Sequence, residues 1–464
     1  PPKKGKKLSE PEIEVLRGWI AAGAKGPQPG EGLPKAAAVP RIVPKVAPRK
    51  AIQAIAADPR SKLLALARLG EVELRSAETR AVVRILKGHA GPVNAVAFSP
   101  DGAILAAAGG EPGVSGEVRL WAVADGSPVR TFRGHEDAIY AIALAPDGRT
   151  FATGSYDHGI LLWDRDRDRP IREFKGHNEC VTGLAFRPDG KILASASADR
   201  TVKLWDVATG ERRETLGEST KALNAVAWSP DGALVAAGGV DNRIRLWTVS
   251  ADAKEGTNPL RSSSFAHEGA ILRLAWSADG RTVASSADDR SVKLWNAPDM
   301  SPKRVLEAQP DWPSALAFAL DGKVVAVGRL DGSFQLYDTA TGQAAASPRP
   351  ELSALEPRGI RRGTAGVFTL VGKNTAGELK SDDPALRIRR LEDGRAEIAV
   401  AADRAPGEAE LWLSGPGGDS ARVRLHVDTL PQVQEVEGTV TTAALPVSFW
   451  GVIGTRGDSD TFGF

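Results

Sequence analysis

Along most of the chain, apolar residues come in short runs of Val, Ile, Leu, Ala and Phe, each bounded by a cluster of turn-forming residues. Residues 181–186 (VTGLAF), 192–196 (ILASA), 202–205 (VKLW) and 212–215 (RRET) make one such set. Runs of this length between turns predict strands, and four in succession predict a small antiparallel sheet. Pro-Asp-Gly at residues 188–190 separates the first two runs. Proline presets φ and glycine accepts a positive φ, so this tripeptide predicts a tight turn. Both faces of the predicted sheet are apolar, so it cannot stand alone. Stacking such sheets around an axis buries both faces and protects their edges.

The set repeats. Trp121, Trp163, Trp205, Trp247 and Trp295 close successive sets, with Tyr337 next, at steps of 42, 42, 42, 48 and 42 residues. A period of this size marks a repeat architecture. Clear copies span 88–121, 134–164, 176–206, 217–247 and 267–295, and a weaker one spans 308–338. The weakest spans 50–75, where Asp58-Pro59 marks the turn and Arg75 stands in the Trp place, which brings the total to seven.

Three copies carry one constellation at identical spacing: His135, Thr153, Asp157 and Trp163; His177, Ser195, Asp199 and Trp205; and His267, Ser285, Asp289 and Trp295. In each, Asp follows His by 22 positions, follows Ser or Thr by 4, and precedes Trp by 6. The other copies degrade. Ser219 and Ala237 replace His and Ser beside Asp241 and Trp247, and the weaker 308–338 copy keeps Asp331 with Tyr337. The 88–121 copy keeps His89 and Trp121 but carries an insertion at 111–115.

Over about 300 residues these copies closely resemble the WD-repeat β-propeller family. The resemblance implies an all-β, seven-bladed propeller in which each tetrad hydrogen-bonds across a blade, joining a loop, two strands and a turn. It also implies that the two chain ends meet in one blade, and the weak first and last copies fit that seam. Residues 343–347 or residues 41–47 would supply the last outer strand, and the sequence does not decide between them. A hydroxyl, an imidazole and a carboxylate also compose a hydrolase triad. A nucleophile needs one activated site, whereas this set recurs in register with a tryptophan that catalysis does not require, so the structural reading is the expected one.

Upstream, residues 8–23 predict a helix. Ser9 and Glu12 form a capping box, Pro11 sits in the first turn, Ile13, Leu16 and Ile20 make a stripe beside Trp19, and Gly23 is a stop. The string PPKKGKKLSE…LRGWIAAGA resembles the end of the planctomycete-type cytochrome c domain. That resemblance implies a haem c domain outside this chain, with no haem ligands inside it. Residues 1–25 are therefore read as the terminal helix of such a domain, and 26–43 as a proline-rich linker. The propeller is expected over 44–348. Downstream the period stops, and short alternating strands over 357–430 predict an immunoglobulin-like sandwich. Residues 436–464 resemble the first strands of a bacterial pre-peptidase C-terminal domain, cut short. Both ends are read as cuts from a longer, exported bacterial polypeptide, which implies a periplasmic or cell-surface location.

Composition narrows the rest. With 60 basic and 58 acidic residues the net charge is +2, which gives no global field for nucleic acid. The basic linker lacks interleaved aromatics. A single cysteine, Cys180, excludes an internal disulfide. No apolar run is long enough for a spanning helix. Asp164, Asp166 and Asp168 alternate with arginines and read as a solvated loop, since a calcium loop's glycine and distal glutamate are missing. Asp458 and Asp460 form a second, weaker pattern of this kind, and His177 with Cys180 lacks the second pair that a zinc site needs.

The expected function is therefore a non-catalytic interaction scaffold that binds a protein or peptide on the tetrad-side face. Tyr140, Tyr156 and Trp312 are the candidate anchors, because exposed aromatics dominate interface energetics. No catalytic, cofactor or metal residue is expected. A propeller hydrolase or oxidoreductase with a channel site is the alternative, but the axis-facing Asn94, Tyr140, Thr182, Asn224 and Arg273 share no catalytic logic. A cell-surface or carbohydrate-binding role for the sandwich is a third reading, with Trp412 taken as core and not as a sugar platform.

Overall fold

The computed structural model describes residues 10–23, 50–250, 252, 254–297, 299–346, 349–375, 377–391, 394–415, 417–429, 432–434 and 448–450. The first 48 residues form one unit and residues 49–464 a second. In the first, Glu10–Ala21 is an α-helix. It ends where Gly23, at φ 88°, donates its N–H to Ile20 O at 2.9 Å. Val15, Leu16, Trp19 and Ile20 are exposed on it. Ser9, the 26–43 linker and nearly all of 436–464 lie outside the described residues, as does the Glu12 side chain.

The second unit begins with seven small antiparallel sheets, each built from contiguous sequence. The middle four run in simple meander order, such as Val181–Phe186, Ile192–Ser197, Val202–Asp206 and Arg212–Leu216. The fifth begins with Leu223–Trp228 and the sixth with Ile271–Trp276. The first two blades share a continuous ladder because Val82–Phe98 is the outer strand of the first and the inner strand of the second. Each Pro-Asp-Gly turn closes as its chemistry demands, with Gly190 at φ 72° and Gly232 at φ 70°.

The sheets close into a ring through seven cores, each shared by two neighbours. Trp205 of the fourth blade packs with Ala152, Leu162 and Phe174 of the third. Trp163, Trp247, Trp295, Trp121 and Tyr337 make the same step to the blade before their own. The tryptophans are thus the fastening between blades, each at most 4% exposed. The remaining junction, between last and first blades, is filled by Ile52, Ile55, Leu64 and Leu66 against Ala315, Val324, Ala326 and Leu336.

Of the two expected sources of the last outer strand, 343–347 agrees with the structure, and 41–47 lies outside the described residues. The first blade takes its strands from Ala54 onward, and the last comprises Ala315–Ala319, Val324–Gly328 and Phe334–Asp338. Residues 343–345 complete it: Asp338 N–H donates to Gln343 O at 3.0 Å, and Ala345 N–H to Leu336 O at 2.8 Å. Among the described residues the ring therefore closes by packing, with no strand exchanged. Polar ties span the seam. Ile52 N–H donates to Arg329 O at 3.1 Å and Ser314 Oγ to Ile52 O at 2.5 Å, while Arg80 Nη2 donates to Ala345 O.

The sandwich starts at Glu351–Glu356, upstream of the expected 357, and runs to Val423–Asp428. Two sheets enclose one core of Leu355, Phe368, Ile398, Leu411 and Leu425. Trp412 is not part of it. Ala409, Leu411 and Leu413 point inward with the strand's two-residue period, so Trp412 faces outward, half-buried, with the Arg422 guanidinium 4.4 Å from its ring. Beyond the sandwich, Gln432–Gln434 pairs in parallel with Ser448–Trp450.

Candidate functional site

The three tetrads form hydrogen-bonded chains with a defined direction. In the fourth blade, Trp205 Nε1–H donates to Ser195 Oγ at 2.8 Å, and Ser195 Oγ lies 2.6 Å from His177 Nε2. His177 Nδ1 lies 2.7 Å from Asp199 Oδ2, and Asp199 in turn accepts the Asn178 N–H at 3.3 Å. In the third blade, Thr153 Oγ1 sits 2.8 Å from both Trp163 Nε1 and His135 Nε2, with His135 Nδ1 at 2.9 Å from Asp157 Oδ2. In the sixth, Ser285 Oγ lies 2.8 Å from Trp295 Nε1 and 2.7 Å from His267 Nε2, and His267 Nδ1 reaches Asp289 at 3.2 Å.

Burial pushes the His177 pKa down and holds His267 down to about 4, against the pull of the aspartates. Both rings are therefore neutral near pH 7. The proton on Nδ1 faces the carboxylate in His177, and in His267 it faces Ser291 Oγ at 2.8 Å as well as Asp289, which leaves Nε2 to accept the hydroxyl proton. Burial pushes the Asp199 carboxyl up, but the His177 and Thr201 hydrogen bonds outweigh it and keep the group well below the usual range.

The same direction of donation occurs in a serine hydrolase, so access decides the chemistry. Thr153, Ser195 and Ser285 are 0% exposed, and each oxygen is capped by an indole N–H. No carbonyl carbon can reach these hydroxyls, and the networks act as clamps.

The degraded blades replace the clamp with charge. In the fifth, Arg245 Nη2 donates to Asp241 Oδ2 at 2.6 Å, both side chains at most 5% exposed, and Trp247 Nε1 donates to Glu218 Oε2 at 3.1 Å. In the last, Arg329 donates through Nη2 to Gln309 Oε1 at 2.6 Å and to Tyr337 OH at 2.7 Å. In the second, His89 Nδ1 lies 3.2 Å from Glu117 Oε1. His89 first, and Arg119 with it, hold the Glu117 carboxyl down to about 2 despite burial. In the first, Arg68 and Arg75 both pair with Glu73.

The central channel is a cavity of about 220 Å³. Four of its polar wall groups are already engaged in joining blades. Asn94 Nδ2 donates to Ile139 O at 3.0 Å, Thr182 Oγ1 to Leu223 O at 2.7 Å, and Asn224 Nδ2 to Ile271 O at 2.8 Å. Each donor sits at a β-bulge of an inner strand and ties to the first residue of the next blade's inner strand. Arg273 Nη2 reaches across to Gln53 O at 3.1 Å. The spacing of these residues could be read from the sequence, but their latch role could not, because the acceptors belong to neighbouring repeats.

A second cavity, of about 810 Å³, lies between the seam and the sandwich, and its charges are paired, as in Lys50–Glu71 at 3.0 Å and Arg68–Glu73 at 2.9 Å. Asp164, Asp166 and Asp168 pair with Arg149 and Arg130. Among the described residues, no group of three or more His, Cys, Asp or Glu is placed to hold a metal, and no helix is long and apolar enough to cross a membrane. Asp458 and Asp460 lie outside the described residues.

The candidate anchors fall on one side of the ring. Tyr156 is 54% exposed in the turn between second and third strands of the third blade, beside Tyr140 at 6.2 Å between ring centroids. Trp312 is 46% exposed on the loop entering the last blade, and nothing joins it to the tyrosines. Val114 and Val240 are also exposed, in the corresponding turns of the second and fifth blades, and Leu69 is exposed within the strand Leu63–Ser76 of the first. The Pro-Asp-Gly-type turns on the opposite side expose no large apolar side chain among the described residues.

The chain matches the family model of the IFT122 first beta-propeller over residues 111–347, and that of the WD domain, G-beta repeat, over residues 80–122. A comparison with curated proteins found no match. The first model covers just over half of the chain, on blades whose clamps and shared cores are those described above. The chain therefore belongs to the IFT122 first beta-propeller family and is a WD-repeat propeller.

Proposed function

We propose that this chain is a non-catalytic scaffold that binds a protein or peptide partner on the tetrad-side face of its propeller. The observation that carries this reading is the segregation of exposed apolar groups. Tyr156, Trp312, Val114 and Val240 occupy loops of that face and Tyr140 the start of an inner strand there, while the opposite Asp-Gly tips are polar and Ile171 is exposed in a connection on that side. Exposed aromatics on a rigid frame are the usual anchors of protein interfaces. The channel-enzyme reading loses support because Asn94, Thr182 and Asn224 are engaged as latches. The carbohydrate reading loses support because the Arg422 guanidinium stacks on Trp412.

The wider setting follows from the terminal resemblances. The parent is an exported bacterial multidomain protein with a c-type haem domain upstream, and the propeller docks a redox partner or a cell-surface component outside the cytoplasm. A Cys-x-x-Cys-His encoded just upstream of Pro1 supports this setting; a start codon there removes it. For the scaffold itself, affinity capture with the full chain is the test. A partner retained by wild type and by Lys191→Ala on the opposite face, but lost by Tyr156→Ala with Trp312→Ala, agrees with the reading. Loss with Lys191→Ala alone contradicts it.

A further inference from the structure

The two tyrosines differ from the other exposed apolar groups in what surrounds them. Tyr140 and Tyr156 meet at 48° between ring planes, 6.2 Å apart, and are 37% and 54% exposed. Their positions are fixed from below. Tyr156 N–H donates to Ala138 O at 3.0 Å, and Asp137 Oδ1 accepts Gly113 N–H at 2.7 Å, so three loops are tied together under the rings. The aromatic surface is thus preorganised, which lowers the entropic cost of binding.

The same loops are acidic. Residues 134–138 read GHEDA and residues 176–180 read GHNEC. Glu136 and Glu179 are exposed, and neither carboxylate enters an ion pair or accepts a hydrogen bond among the described residues. Asp137 and Cys180 lie close enough to Tyr140 to act on its phenol electrostatically. In the loops 134–138, 155–159, 175–180 and 197–201 the basic groups, apart from the buried tetrad imidazoles, are His158, Arg200 and Lys175, and Lys175 pairs with Glu173 at 3.1 Å.

We infer that Tyr140 and Tyr156, flanked by Glu136, Asp137 and Glu179, form a subsite for a lysine or arginine side chain of a basic peptide segment. The inference rests on the scaffold reading above and names the partner's chemistry. A cation over an electron-rich ring face is attracted by its quadrupole, and nearby carboxylates add charge complementarity. Arg273 lines the same channel, and its charge disfavours entry of a cation there.

Panning a random dodecapeptide phage library against the full chain tests this. Recovered peptides are expected to be enriched in Lys and Arg, and to lose binding at least tenfold on Tyr156→Ala and on Glu136→Gln with Glu179→Gln. A rise to 0.5 M salt is expected to weaken binding to wild type but to matter little for the double Gln variant. All these positions are exposed, and an unchanged melting temperature establishes that each variant folds. Peptides with no basic enrichment, or basic peptides indifferent to these substitutions, overturn the subsite. If such peptides depend instead on Trp312, the interaction face stands and the cation subsite alone falls. If no peptide is recovered, both fall.

Discussion

At the residue scale, the clamps hold because every buried polar atom in them has a partner. Ser195→Ala leaves Trp205 Nε1–H and His177 Nε2 unsatisfied in a site with no solvent access. Stranding buried polar groups costs about 1–3 kcal/mol, so urea denaturation is expected to report a loss of that size. Acid weakens the clamps in a defined order. His267 stays neutral in the fold down to about 4, whereas the unfolded chain binds that proton from about pH 6.5 downward. Its contribution is thus complete above pH 6.5 and is lost as pH falls toward 4. The depressed carboxyls of Asp157, Asp199 and Asp289 add a second loss at still lower pH. Melting temperature is expected to fall steadily from pH 7 to pH 4. A flat profile would remove the neutral-imidazole assignment.

At the element scale, a blade can be fastened in two ways, and the sequence displayed only one. The tetrads were legible because their four members recur at fixed spacing, and the same spacing marked the fifth blade as defective. The repair was not legible. Arg245 lies on the third strand, opposite Ala237, in the column occupied by Leu161 in the third blade and Lys203 in the fourth. Tetrad spacing does not index that column. Burying an ion pair makes the blade depend on both partners. Asp241→Ala strands the Arg245 charge and is expected to cost about 3–5 kcal/mol. Asp199→Ala, which strands the His177 imidazole that burial keeps neutral, is expected to cost less, and equal losses in denaturant titrations would count against the distinction. The seam was hidden for a similar reason. The sequence left 343–347 and 41–47 open as the last outer strand, and the packing of Ile52 and Ile55 on the last blade was not legible because that contact spans more than 250 residues of sequence. Trp412 was misassigned although its strand carried the answer, since Ala409, Leu411 and Leu413 already fill the inward positions.

At the scale of the whole molecule, the ring uses its aromatic and polar residues in separate places. Tryptophans lie between blades, asparagines and threonine join inner strands around the channel, and exposed tyrosines and Trp312 stand on the tetrad-side loops. On the proposed reading, that division assigns recognition to the tetrad-side face. Amide hydrogen exchange on the full chain, with and without a captured partner, tests this most directly. Added protection is expected in the loops around residues 134–138, 155–159 and 310–314, with the turns at 188–190 and 230–232 unchanged. Protection confined to those opposite turns, or to the sandwich, would contradict it.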